Sequence, residues 1–187
     1  MVFIRDRKHK QYSHLNAKAG APSGKQGFEI YSITGYFAKK LVHYENIIAL
    51  ESSTIKGYSF PIITLSDLYL MYAEASNETK AAPDADVYEY IQKVRDRAGL
   101  DEGSDLVSTW QMHSSNPSKP ITKDGMRAII HQERMIELAL EGHRYWDLRR
   151  WKLAGEYFSK PIRGWNIFKP DVEGFYEVEN IFYRNYL

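Results

Sequence analysis

The stretch Met126 to Trp151, MRAIIHQERMIELALEGHRYWDLRRW, decides how the chain is read, because it is both its most periodic and its most chemically unusual segment. With successive residues turned by about 100°, Met126, Ile129, Ile130, Ile136 and Leu140 fall on one helical face, the stripe expected of a helix packed on a core. Glu133 and Glu137 fall on the same face. The spacing predicts one long helix from Thr122 to Glu141, a break at Gly142, and a short helix from Arg144 to Leu153, so 122–153 forms a helix pair.

Glu133, Glu137 and Glu141 are successive i,i+4 neighbours, an arrangement whose repulsion weakens an isolated helix. Cations must answer them. Arg134, Arg144, Arg149 and Arg150 lie nearby, with Arg95 and Arg97 upstream, and guanidinium forks suit bidentate pairing with partly buried carboxylates better than lysine does. The expectation is a structural ion-pair lattice of Glu133, Arg134, Glu137, Glu141, Arg144, Asp147 and Arg149 that fixes how two helices cross, since a carboxylate left unpaired in that stripe is strongly destabilising. General acid/base or metal chemistry at the same glutamates is the competing reading. It is weaker, because structural ion pairs cluster charge in the same way.

Working outward, Pro61 to Leu100 reads as a helical hairpin over 61–99. Thr64-Leu-Ser-Asp67 is a capping-box-like start, with Leu65, Leu68, Tyr69, Tyr72 and Ala75 as the apolar stripe and Asp67, Glu74 and Glu78 opposite, while Leu70 and Met71 widen the stripe and imply contacts on more than one side. A second helix runs from about Ala85 to Ala98, with Val87, Tyr90, Ile91, Val94 and Ala98 on one face and Gly99 placed to end it. The pair occupies about 34 residues, the length of one tetratricopeptide unit, which needs neighbours to bury its outer face.

Four segments together resemble a known family: ER-x-IELA-x-EGHRYWDLRRW (Glu133 to Trp151), PIITLSDLYLMYAEASNE (Pro61 to Glu78), YIQKVRDRAGL (Tyr90 to Leu100) and TGYFAKKLV (Thr34 to Val42). The first is similar to the signature segment of the SusD/RagB family of outer-membrane glycan-binding lipoproteins. The next two resemble its preceding helix pair, and the last its glycine-tyrosine-lysine strand. The resemblance implies a lipid-anchored protein on the extracellular face of the outer membrane, which binds an oligosaccharide or polysaccharide and passes it to a TonB-dependent SusC-like transporter without catalysis. On the same basis the chain corresponds to the carboxy-terminal portion of such a protein, beginning well inside the family's pattern and stopping before its closing segment.

The remaining segments are less regular. Residues 1–27 combine a basic cluster with a Gly/Pro/Ser-rich run and read as loop. Residues 28–58 read as extended, with Ile30, Ser32 and Thr34 alternating against Tyr31, Ile33 and Gly35. Residues 100–121 read as a long loop carrying Trp110, a length that in a compact domain is usually functional or mobile. The tail, 154–187, is aromatic and broken by proline and glycine.

Composition bounds the rest. A chain of 187 residues suffices for one domain with its own core. A net charge of +1 offers no basic field for nucleic acid, and the absence of cysteine removes disulfides, thiolate metal sites and a cysteine nucleophile. The first residues form neither a signal peptide nor a membrane span. His131 and His143 lack the i,i+4 histidine spacing of a zinc helix, so no metal is expected. No phosphate-binding glycine loop or nucleophile elbow occurs, so no cofactor is expected either.

Sugar rings present C–H faces to aromatic planes and hydroxyls to planar polar groups. By residue type Trp110, Trp165 and Asn166 are the candidates for ligand contact, although large aromatics more often pack in cores. Trp146 and Trp151 read as structural. The predicted whole is a mostly α single domain of tetratricopeptide-like hairpins with long loops and a few short strands. A peptide-binding tetratricopeptide-like scaffold is the alternative function, and a glycoside hydrolase, which needs two carboxyls about 5 to 10 Å apart across a cleft, is a weaker third.

Overall fold

Thr64 begins the first helix by accepting a hydrogen bond from the Asp67 amide with its hydroxyl, 3.3 Å. α1, Leu65–Thr79, follows; Asp84 caps α2, Ala85–Arg97, in the same way through the Val87 amide. Gly99, at φ +74°, then turns the chain, and the Leu100 amide returns to the Arg95 carbonyl at 2.9 Å. Such a left-handed stop satisfies carbonyls that the helix end leaves open.

The computed structural model describes residues 2–4, 13–21, 23–26, 31–38, 40–41, 43, 45–48, 53–57, 59–100 and 103–181. The described part is mostly helical, and the chain divides into two compact units, Phe60–Trp151, and Met1–Ser59 together with Lys152–Leu187.

In the helical unit, α1 packs on α2 and on α4, Lys123–Glu137. Thr122 caps α4 through the Gly125 amide, 3.1 Å. α5, His143–Arg150, begins after Gly142, whose φ of +84° allows the reversal. Ala73, Val87, Ile91, Leu106, Met126, Ile129 and Ile130 form the core. Asn77 ties α1 to the start of α4 by donating to the Lys123 carbonyl, 3.1 Å.

Three expectations are corrected here. Among the described residues of the expected 100–121 loop, 103–121 are not structureless. Asp105 caps α3, Leu106–His113, and a 3₁₀ turn follows at Lys119–Ile121, with the Leu106 amide held by Gln92 Oε1 at 2.8 Å. A single buried leucine anchors this short helix, so its apolar period is too weak to read from sequence.

The second correction concerns α1, which turns the other way. Its buried residues are Ser66, Asp67, Leu70, Ala73, Glu74 and Asn77, while Leu65 is 60% and Leu68 48% exposed. Both sets have helical spacing. The inward set is selected because its two carboxylates meet guanidiniums, as described below.

The third is α4, which ends at Glu137. Ile136 is 59% exposed, Leu138 takes the buried place, and Leu140 adopts φ +69°. The long helix and its stripe therefore stop one turn early, and Glu141 leaves the row of stacked glutamates.

Among the described residues the other unit contains three antiparallel strand pairs: β1 (Val2–Ile4) with β2 (Ser13–Leu15), β3 (Ile47–Ile48) with β4 (Ser53–Thr54), and β5 (Ile162–Trp165) with β6 (Val178–Ile181). The first pair lies where loop is expected. Short helices α6, Ala154–Phe158, and α7, Val172–Phe175, interrupt the aromatic tail. The alternation expected over 30–35 gives no strand among described residues 31–35, because Gly35 sits at φ +71° in a turn. Ile30, and Lys39 and Val42 of the 34–42 strand, lie outside the described residues.

Candidate functional site

Arg134 is the centre of the helical unit's polar interior. Its side chain is almost fully buried, and its fork grips Asp147 of α5 through Nε, 2.9 Å, and Nη2, 3.1 Å. Nη1 donates to Asp67 of α1 at 2.9 Å. One guanidinium thus joins three helices.

Beside it, Arg150 donates both terminal nitrogens to Glu74, 2.5 and 2.6 Å, and its Nε to Asp147, 2.9 Å. Trp151 Nε1 also donates to Glu74, 2.7 Å. Burial alone would raise the Glu74 carboxyl, but these hydrogen bonds and the Arg150 charge outweigh it and hold the group below its ordinary value. The imidazole of His131 stacks on Trp151 with centroids 3.5 Å apart, and burial pushes it down to about 4. At neutral pH it is an uncharged plate.

The expected lattice residues divide as follows. Glu133 meets Arg95, with both side chains buried, and Glu137 takes a bidentate pair from the more exposed Arg97, 2.5 and 2.6 Å. Arg134 and Asp147 lie at the centre. Arg149 points outward and donates to the Tyr145 hydroxyl, 2.6 Å, while Glu141 and Arg144 flank the Gly142 break in half-buried positions. Asp67 and Glu74, which the α4 segment alone could not reveal, are the carboxylates that Arg134 and Arg150 serve. Their own spacing carried the signal: Asp67, Leu70, Ala73, Glu74 and Asn77 repeat at three and four.

The arrangement is dense in ion pairs: Asp67, Glu74, Glu133, Glu137 and Asp147 each meet at least one arginine. Among the described residues no group of three or more His, Asp or Glu is placed to hold a metal ion.

The three residues nominated for sugar contact belong to different units. In the helical unit, Trp110 packs against the core with its indole N–H buried and without an acceptor, and Lys119 Nζ lies 5.5 Å from its ring. Its surroundings are those of a packing residue. In the other unit, the Trp165 amide donates to the Thr34 carbonyl, 3.0 Å, and the half-buried indole meets Tyr36 at 5.4 Å and Tyr176 at 5.1 Å between centroids. Gly35 and Gly164 permit this contact. A Cβ on Gly164 would stand 2.8 Å from the Thr34 backbone, and one on Gly35 3.1 Å from Trp165.

Asn166 is buried next to it. Its amide donates to the Phe175 and Glu177 carbonyls, 3.0 and 3.1 Å, and its Nδ2 to Glu179, 2.6 Å, while its Oδ1 accepts from the Phe168 amide. Asn166 is thereby a brace for the aromatic cluster, and Tyr36, Trp165 and Tyr176 form the cluster's accessible planes.

A helical hairpin followed by a charge-locked helix pair makes up the helical unit. The family model described as SusD family matches residues 5–185, and the chain belongs to that family. It is similar to SusD-like protein P2 of Formosa agariphila, 33% identical over 134 residues, which cover 71% of this chain and 25% of that protein. It is also similar to SusD-like protein P25 of the same organism, 38% identical over 90 residues, covering 48% of this chain and 15% of the relative. The matches thus span no more than about a quarter of these relatives' length.

Proposed function

We propose that this chain is part of a non-catalytic glycan-binding protein that captures oligosaccharide or polysaccharide at the outer-membrane surface and delivers it to a TonB-dependent SusC-like transporter. The observation that carries the reading is the family match over residues 5–185: at the level of the family, SusD-like proteins are non-catalytic and bind glycans within Sus systems. No helix among the described residues is long and apolar enough to cross a membrane, so surface residence in this reading depends on an anchor and on the transporter.

Within this chain we assign the sugar contact to Trp165 with Tyr36 and Tyr176, seated by Asn166. Aromatic planes of this kind receive the C–H face of a pyranose. The test is calorimetry of the 187-residue chain against a panel of neutral and acidic oligosaccharides. Binding that Trp165→Ala weakens at least tenfold, and that Trp165→Phe partly restores, supports the assignment. Absence of heat with every sugar at millimolar concentration overturns the glycan reading, and unchanged affinity in both variants overturns the choice of Trp165.

A further inference from the structure

We infer that the outer face of α5, made by Tyr145, Trp146 and Arg149, is a second sugar-binding surface, which takes a pyranose unit carrying an acidic substituent; the inference rests on the glycan-binding reading and adds a substrate class to it. The signature segment's sequence suggests a structural Trp146, but its side chain is 67% exposed while the other three tryptophans are partly buried. An indole left in water beside a tyrosine that is itself 46% exposed calls for a partner.

The geometry fits a sugar. The Tyr145 and Trp146 rings lie 5.2 Å apart at 82°, so their planes meet as a corner. One plane can carry the C–H face of a pyranose while the other borders its edge. Arg149 donates Nη1 to the Tyr145 hydroxyl at 2.6 Å, with its guanidinium 5.4 Å from the ring centroid. That hydrogen bond places the guanidinium of the exposed Arg149 beside the aromatic corner, a group suited to a bidentate carboxylate or sulfate.

The ion-pair lattice gives this face its rigidity. On the opposite side of α5, Asp147 is held by Arg134 and Arg150, and Leu148 is buried. The helix cannot roll without breaking those pairs, so little freedom remains to be lost on binding. Protein hot spots also favour Trp, Tyr and Arg, but in well-packed, desolvated pockets ringed by contacts that exclude water. The only aliphatic residue of α5 is Leu148, which faces inward. A sugar therefore fits the face better than a protein does.

The test uses the 187-residue chain with Trp146→Ala and Arg149→Gln. The probes are a uronic-acid oligosaccharide and a sulfated galactan oligosaccharide, each beside its neutral counterpart of the same linkage. The wild type is expected to prefer one acidic probe over its neutral counterpart, and which of the two it prefers identifies carboxylate or sulfate as the substituent. Trp146→Ala should lower affinity for that probe at least tenfold with an unchanged melting temperature, and Arg149→Gln should abolish the preference while retaining neutral binding. Equal wild-type affinity for acidic and neutral sugars, or variants indistinguishable from wild type, overturns this inference and leaves the glycan reading standing. No binding to any sugar overturns both. Unaltered sugar binding with a loss of transporter association in Trp146→Ala would make the face a protein contact and likewise overturn it.

Discussion

The helical unit and the unit built around β5 and β6 solve the same problem, holding aromatic side chains in fixed positions, by opposite means. In the first, long charged side chains reach across helices, and Trp151 is held between His131 and Glu74. In the second, Trp165 is set by close backbone approach at two glycines and by ring edges. A charged lattice tolerates some displacement of each helix because arginine is long, but it fails badly when one partner is removed. A close-packed contact has no unpaired charge to expose, yet a single added carbon disturbs it.

The largest effect should come from Arg134→Met. Asp67 would lose its guanidinium and Asp147 would retain only Arg150, at a cost of about 3–5 kcal/mol. Urea titration measures it, and a midpoint within error of wild type would refute the lattice. Gly164→Ala is the matching test of the other unit. The new Cβ would press on the Thr34 backbone, at about 1–3 kcal/mol, and the tryptophan emission assigned to Trp165 should shift while helical circular dichroism holds.

Acid separates the two units further. Because burial holds His131 down to about 4, below its ordinary value of about 6.5, the unfolded chain takes up a proton that the folded one declines. The contribution is complete above the ordinary value and is lost as the pH falls toward 4. Glu74, held below the ordinary carboxylate value, adds a further loss at lower pH. In His131→Phe, which can still stack on Trp151, the melting temperature should fall less between pH 6.5 and 4 than in wild type; parallel curves would exclude His131 as the cause. The smallest effect is expected for Arg97→Ala. Its side chain is 60% exposed, although that of Glu137 is only 18% exposed, so thermal melts should register about 1 kcal/mol, in contrast to the buried Arg95–Glu133 pair.

Helix starts were legible from sequence because a cap is local chemistry: Thr64, Asp84 and Thr122 announce themselves within three residues. The inward face of α1 was not, because hydrophobicity marked the wrong side. The residues that decide it, Arg134 and Arg150, lie 67 and 76 positions away from their partners Asp67 and Glu74. The stop of α4 at Glu137 was hidden for a related reason, since Ile136 and Leu140 continue the apolar period past the point where the backbone leaves it. For the proposed sugar contact, residue type nominates Trp165 and Asn166, and the binding experiment is what tests them. Residue type did not find Tyr36, which reaches the cluster only because Gly35 turns the chain. Nor did it reveal that Trp110 packs inward.

The two-sided character of α1 has a consequence for how the chain finds its native arrangement. Both faces offer enough apolar surface to be buried, so the hydrophobic effect, being non-directional, leaves the helix with two nearly equivalent seatings. Only one rotation brings Asp67 and Glu74 to Arg134 and Arg150. The carboxylates act as an index pin, removing a competing compact state from the landscape as well as holding the final one. Replacing both with leucine would then give a chain that stays collapsed and helical but populates more than one rotation of α1, seen as doubled resonances where the wild type shows single ones.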